Sequence, residues 1–149
     1  MRAAKERVDP KAQLDASKAS SSDVVCLVDD DPSIRKSVSR LLESAGFKVC
    51  VFSDAASFLE HLSRDVVSVA VLDIWMEPMT GLELLTELCA RSPATRVIFI
   101  TGHEDIAAKA SVKQVGVFGF LIKPFDADVF LSLVARAFDH ASAPSSDQE

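Results

Sequence analysis

Several features that mark secreted, thiolate-metal or membrane proteins are scarce or missing in this chain of 149 residues. Its three cysteines, Cys26, Cys50 and Cys89, show no C-x-x-C spacing. They are predicted to be small buried side chains in a reducing compartment rather than disulfide or metal ligands. No apolar run is long enough to span a membrane, and residues 1–22 lack the apolar core of a signal peptide. We therefore expect a cytoplasmic protein without a membrane partner.

Basic charge is also scarce, and it is unevenly distributed. The net charge is −6, yet residues 1–22 carry five Lys and Arg against three Asp and Glu. The other 127 residues carry eleven against nineteen, a net charge of −8. Because nucleic acids bind basic surfaces, an acidic body argues against direct nucleic-acid binding.

The composition predicts one folded unit between two tails. Residues 1–22 and 140–149 are rich in small and polar side chains, so they cannot bury enough apolar surface to order themselves. Residues 23–139 form the predicted domain, and a hydrophobic content of 48% can supply its core.

Strand-like and helix-like patterns alternate five times within that domain. The predicted strands are 24–28, 48–52, 66–72 leading to Asp73, 96–100 and 117–122. The predicted helices begin at Pro32 or Ser33, after Ser53 or Asp54, at Gly81, at Asp105 (ending near Val115) and at Asp126. Apolar positions such as Val129 and Phe130 are expected to face the core. Five such units predict an α/β fold with a doubly wound, five-stranded parallel sheet and five helices.

Carboxylates follow two of these strands, at the point where each strand ends. Asp29, Asp30 and Asp31 follow the first strand, and Asp73 follows the third. In open α/β sheets, ligands bind outside the carboxyl ends of the strands. Clustered carboxylates repel one another unless a cation offsets their charge, and a hard divalent metal with oxygen ligands suits them. Asp31 precedes Pro32, so we favour a helix cap for it over a ligand.

The motifs at these strand ends resemble the receiver domain of two-component response regulators. They are Asp29-Asp30, Asp73, Thr101-Gly102 and Lys123-Pro124-Phe125, at intervals of 43, 28 and 22 residues from Asp30 onward. The resemblance covers about residues 23–138. The stretches 73–85, 100–103 and 120–125 are similar to regulators of the nitrogen-fixation and nodulation type. A flavodoxin-like sheet in the strand order 2-1-3-4-5 is the fold this implies.

The resemblance also implies a role for each motif residue. Asp73 is expected to accept a phosphoryl group from the phosphohistidine of a sensor histidine kinase or phosphotransfer protein. Mg²⁺ is expected on Asp29, Asp30, Asp73 and the backbone carbonyl of Trp75. The phosphoryl oxygens are expected to contact Thr101, Gly102 and Lys123.

A conformational switch is implied as well. It pairs Thr101 with Phe120, and a cis bond is expected before Pro124. The surface made by the predicted fourth helix, the fifth strand and the last helix would then meet a downstream protein or a second copy of the chain. The family usually has proline where Glu77 stands here, with Pro78 one residue later. His103 is interpreted as an exposed loop residue.

Three functions remain to be compared. About ten mostly polar residues follow Phe138, which favours a stand-alone receiver over the excised receiver of a DNA-binding transcription factor. A Mg²⁺-dependent aspartyl-phosphate phosphatase of the haloacid-dehalogenase type is suggested by Asp29-x-Asp31, but it leaves Asp73 and Thr101 without their roles. We therefore predict a signalling protein whose only catalysis is its own phosphorylation and autodephosphorylation. An enzyme would instead release phosphate catalytically.

Overall fold

The computed structural model describes residues 23–102 and 117–142, with side chains as far as Asp139. Five strands form one parallel sheet in the order β2-β1-β3-β4-β5. The strands are β1 (Val24–Val28), β2 (Lys48–Phe52), β3 (Val69–Asp73), β4 (Arg96–Thr101) and β5 (Gly119–Ile122). This arrangement confirms the predicted fold class and strand order.

Four helices lie within the described residues: α1 (Pro32–Ser44), α2 (Ala55–Leu62), α3 (Gly81–Arg91) and α4 (Ala127–Ser142). The predicted helix at 105–115 and His103 lie outside the described residues. α4 is the last helix of the sequence pattern, and it continues past the expected domain boundary at Asp139. No helix in 23–102 or 117–142 has both the length and the apolar character needed to cross a membrane.

Local side-chain hydrogen bonds set the helix starts. The Asp31 carboxylate accepts from the backbone N–H of Ser33 at 2.8 Å and of Ile34 at 3.4 Å, which confirms it as the cap of α1. Asp54 caps α2 by accepting from Ser57 at 2.8 Å. Beyond α1, Gly46 takes a φ of 96°, a left-handed conformation that favours glycine.

The sheet is covered on both faces by apolar side chains. One face packs under α2 and α3, with Phe58, Leu84 and Phe99 fully buried. The other packs under α1 and α4, with Leu42 and Phe130 fully buried. Burial on both faces explains why β1 and β3 read as continuous apolar runs.

Three expectations about strand bounds and side-chain burial are wrong in detail. The third strand begins at Val69 rather than 66, and Val66 is 94% exposed, because pairing with β1 and β4 starts only at Val69. Val129 is 51% exposed because the core face of α4 begins at the next residue, Phe130. Cys89 is exposed near the end of α3, whereas burial raises the pKa of the Cys26 thiol to about 12.

Candidate functional site

An acidic cluster lies at the carboxyl edge of the sheet. β1 delivers Asp29 and Asp30, and β3 ends on Asp73 beside it. Oxygen atoms of the three carboxylates lie within 4.8 Å of one another. Asp29 and Asp73 are buried, whereas Asp30 is exposed. The two strand-end motifs of the sequence thus meet at one place, as parallel strands require.

Asp29 is held by hydrogen bonds on several of its atoms. Its Oδ1 accepts from the backbone N–H of Asp31 at 2.9 Å, and its Oδ2 accepts from Lys123 Nζ at 3.1 Å. Its carbonyl oxygen accepts from Arg35 Nη1 at 2.8 Å. Lys123 Nζ is 4.0 Å from Asp73 Oδ2, so the ammonium lies between the two buried carboxylates and nearer to Asp29.

The environment of Asp73 disfavours its charged form. Burial is the largest cause, followed by repulsion from Asp29, and together they raise the pKa of the Asp73 carboxyl to about 6. Three smaller effects also act on this pKa. The attraction of Lys123 and a hydrogen bond from the N–H of Trp75 to Oδ1 at 3.4 Å lower it, and a small repulsion from Asp30 raises it. A site with surplus negative charge and oxygen donors has the chemistry that suits a hard dication.

The remaining predicted residues lie around this cluster. Thr101 ends β4 and is buried, and its carbonyl oxygen accepts from the backbone N–H of Lys123 at 2.7 Å. Since Asp73 pairs with Ile100, Thr101 lies one position beyond the partner of Asp73 on the neighbouring strand. Gly102 follows directly, and an added Cβ there would meet nothing within 4 Å.

Phe120, two cis-prolines and Trp75 lie on β5 and on the loops near the acidic cluster. Phe120 is half-buried on β5, and its ring centroid lies 6.5 Å from that of Phe99 at a tilted angle. The peptide bonds Lys123–Pro124 and Glu77–Pro78 are both cis. Trp75 is 45% exposed, two residues beyond the buried Asp73.

Sequence reasoning missed the residues that shape the loops of the site. Arg35 on α1 reaches back to the first loop, and Gly81 donates its N–H to the carbonyl oxygen of Ile74 at 2.8 Å, closing the second. Thr80 and Glu83 form a capping box at the start of α3. The Thr-x-x-Glu spacing was a visible signal for that box, whereas no local pattern marks a contact between Arg35 and Asp29.

The raised pKa of Asp73 predicts a stability gain on removing its charge. The unfolded chain ionises Asp73 near its ordinary pKa of 3.8, whereas the folded chain does so near 6. The ionised group therefore opposes folding above about pH 6, by up to about 3 kcal/mol, and does not oppose it below pH 3.8. We expect Asp73→Asn to raise the melting temperature of the metal-free protein by several degrees at pH 7.5, and the gain to shrink as pH falls from 6 to 4.

A matched control removes a carboxylate of the opposite kind. A backbone hydrogen bond from Ser57 lowers the pKa of Asp54, which is the exposed cap of α2. Asn also accepts at a cap, so Asp54→Asn should fold without gaining stability. Differential scanning calorimetry of both variants checks the expectation, and an unchanged or lower melting temperature for Asp73→Asn at pH 7.5 would contradict it.

Comparison with known families identifies the class of protein that this fold defines. The family model for the response regulator receiver domain matches residues 25–135. The chain therefore belongs to the response regulator receiver family. Receiver domains are in general non-enzymatic signalling domains of bacterial two-component systems, and they bind Mg²⁺ at an acidic pocket. The family match favours the receiver over the phosphatase alternative.

Particular relatives support the nitrogen and nodulation subtype. The chain is 42% identical over 117 residues to the DNA-binding transcriptional regulator NtrC of Escherichia coli, covering 78% of this chain and 25% of NtrC. It is 36% identical over 131 residues to nodulation protein W of Bradyrhizobium diazoefficiens, covering 88% of this chain and 58% of that protein. The chain thus spans about a quarter of NtrC and little more than half of nodulation protein W.

A solved structure agrees with the fold. The beryllofluoride-activated NtrC4 receiver domain, a dimer in solution, is similar with a TM-score of 0.76 and 31% identity. The alignment covers 80% of this chain and 99% of that one. The alignment therefore spans nearly the whole of that receiver domain.

Proposed function

We propose that Asp73 is the phosphoacceptor of this receiver and that its donor is a phosphohistidine on a sensor histidine kinase or phosphotransfer protein. One observation carries the assignment: of the two buried carboxylates of the acidic cluster, Asp73 is the one whose Oδ2 lies 4.0 Å from Lys123 Nζ, near this cation but beyond hydrogen-bond distance. Asp29 already bonds Asp31 and Lys123, and Asp30 is exposed. Asp73 is therefore the buried carboxylate whose Oδ2 is not held by the Lys123 hydrogen bond, and it still has that cation nearby.

The acidic cluster would hold Mg²⁺. Its ligands would be the carboxylates of Asp29, Asp30 and Asp73, together with the backbone carbonyl of Trp75. When bound, the ion supplies charge neutralisation for a reaction that depends mainly on positioning and electrostatics. Burial and the repulsion from Asp29 together raise the pKa of Asp73, and the repulsion supports this proposal because a dication offsets it.

The transfer exchanges one bond to phosphorus for another. An oxygen of Asp73 forms a bond to phosphorus while the P–N bond of the phosphohistidine breaks, and its electron pair returns to the imidazole. Lys123 would offset charge on the phosphoryl oxygens, with the Thr101 hydroxyl and the Gly102 N–H as further donors. Attack of water on phosphorus later breaks the bond to the Asp73 oxygen, which releases inorganic phosphate and restores the carboxylate. Both steps are self-catalysed, which is the sense in which the chain is not an enzyme.

The signal would leave through a surface change. Thr101 would follow the phosphoryl group, and Phe120, which packs against Phe99, would change position with it. The partner would be a downstream protein or a second copy of the chain, on the face that includes β5 and α4. The dimer of the activated NtrC4 receiver supports the second form. A role without an attached output domain stays a prediction.

Stoichiometry tests the function. Wild-type protein is incubated with acetyl phosphate and Mg²⁺, and intact-mass spectrometry is compared with an assay for free phosphate. We expect labelling to approach one phosphoryl group per chain and to be removed by hydroxylamine, which cleaves acyl phosphates. Steady release of many phosphates per chain, in place of labelling that approaches one phosphoryl group, would favour the phosphatase and contradict the proposal.

Trp75 offers a direct signal for the metal. It is the single tryptophan, the chain has no tyrosine, and the indole is 45% exposed beside Asp73. We expect its fluorescence to change on adding millimolar Mg²⁺ and again with beryllofluoride, an acyl-phosphate mimic. Asp30→Asn should weaken both responses, while Asp31→Asn should leave them intact. A flat titration of wild-type protein would place the indole away from the metal.

A further inference from the structure

We propose that Arg35 is a positioning residue that raises the affinity of the acidic cluster for Mg²⁺, by fixing the peptide between Asp29 and Asp30. This inference rests on the proposed function, because it takes the cluster to be the site of the ion. Arg35 lies in the first turns of α1 and is half-buried, whereas its neighbour Lys36 is exposed. The two side chains carry the same charge on the same helix and differ in what they contact.

The contact runs from the helix back to the strand end. Arg35 Nη1 donates to the carbonyl oxygen of Asp29 at 2.8 Å, six residues earlier in the chain. β1 ends at Val28, so this carbonyl lies where the chain leaves the sheet and turns toward α1. A hydrogen bond from a charged donor is stronger than one from a neutral donor. Arg35 therefore ties α1 to the residue that precedes Asp30.

Fixing that carbonyl fixes more than one atom. The peptide unit is planar, so the direction of the Asp29 carbonyl sets the orientation of the whole unit as far as the Cα of Asp30. The N–H of Asp29 is already bonded to the carbonyl oxygen of Phe52 at 3.2 Å, and its Oδ1 to the N–H of Asp31. The exposed Asp30 carboxylate is then placed by this backbone, within 4.8 Å of its two partners.

The sign of the effect separates positioning from charge. Arg35 is a cation close to a site for a dication, so electrostatics alone predicts that removing it tightens Mg²⁺ binding. Loss of positioning predicts weaker binding. Groups that orient metal ligands typically contribute about 10- to 100-fold in affinity. We expect Arg35→Ala to weaken Mg²⁺ binding about tenfold, against the direction of the charge effect.

Calorimetric titration of the metal-free protein with MgCl₂ tests this, with circular dichroism to establish that each variant is folded. Arg35→Lys keeps the charge and a donor and should retain most of the affinity. Lys36→Ala removes the same formal charge from the next residue and should bind as wild type does. Arg35→Met removes the donor but keeps an unbranched stem, and it carries the comparison if Arg35→Ala does not fold.

A second readout separates positioning from a general loss of structure. In labelling by acetyl phosphate, the Mg²⁺ concentration for half-maximal labelling should rise about tenfold in Arg35→Ala, while the plateau at saturating Mg²⁺ stays the same. Equal or tighter Mg²⁺ binding by the folded Arg35 variants overturns the role, as does equal weakening by Lys36→Ala. Failure of wild-type protein to bind Mg²⁺ would instead overturn the proposed function, and the role of Arg35 with it.

Discussion

Asp73→Asn is expected to abolish labelling by acetyl phosphate in Mg²⁺, even after prolonged incubation. The neutral amide oxygen is a far weaker nucleophile than a carboxylate, and the substitution also removes one proposed ligand of the ion. Asp29 is not expected to take the label in place of Asp73, because its two oxygens are bonded to Lys123 and Asp31. Asp30 is not expected to do so because it is exposed. Intact-mass spectrometry measures the labelled fraction directly.

Asp31→Asn is the matched control for that loss. It removes the same charge from the residue next to the cluster, while asparagine can still cap α1 as the Asp31 carboxylate does. We expect nearly full labelling of this variant. The raised pKa of Asp73 predicts that Asp73→Asn is the more stable protein at neutral pH, and its melting temperature, measured in parallel, distinguishes loss of the nucleophile from unfolding. Full labelling of Asp73→Asn would refute the phosphoacceptor assignment.

The sheet was predictable because its strands carry a local signal. β1 and β2 have the predicted bounds, and β4 differs by one residue at Thr101. Apolar runs flanked by polar turns specify a strand wherever both faces of the sheet are covered. The start of β3 was misplaced because Val66 is apolar yet precedes the first paired residue. An apolar run shows only the composition of a segment. Which of its residues pair in the sheet is decided by the neighbouring strands.

The acidic cluster was predictable for a topological reason. Parallel strands bring their carboxyl ends to one edge, so Asp29, Asp30 and Asp73 must come close once β1 and β3 are neighbours. The finer contacts were not predictable. Whether Lys123 lies nearer to Asp29 or to Asp73 depends on differences of about an ångström between two loops. Such distances follow from packing, on which the sequence pattern carries no information.

Gly81 shows how packing constrains the site in a way that the sequence does not reveal. It begins α3, and its N–H bonds the carbonyl oxygen of Ile74. A Cβ added to Gly81 would overlap the carbonyl oxygen of Asp73 and lie 2.9 Å from the Cα of Ile74. Both of these are backbone atoms, which cannot rotate away as a side chain can. The close approach therefore requires glycine at this position.

Gly81→Ala is accordingly expected to destabilise the protein by about 1–3 kcal/mol, although alanine is ordinarily the better helix former. The overlap can be relieved only by moving the backbone of Asp73 or the start of α3, so labelling by acetyl phosphate should also slow in the protein that remains folded.

Gly102→Ala is the control for stability, because its added Cβ would meet nothing within 4 Å. Urea denaturation gives the two free energies of unfolding. Equal stability of Gly81→Ala and wild-type protein would show that α3 can move away from Asp73 at little cost. Asp73 would then be held by its hydrogen bonds and by β3 rather than by the approach of α3.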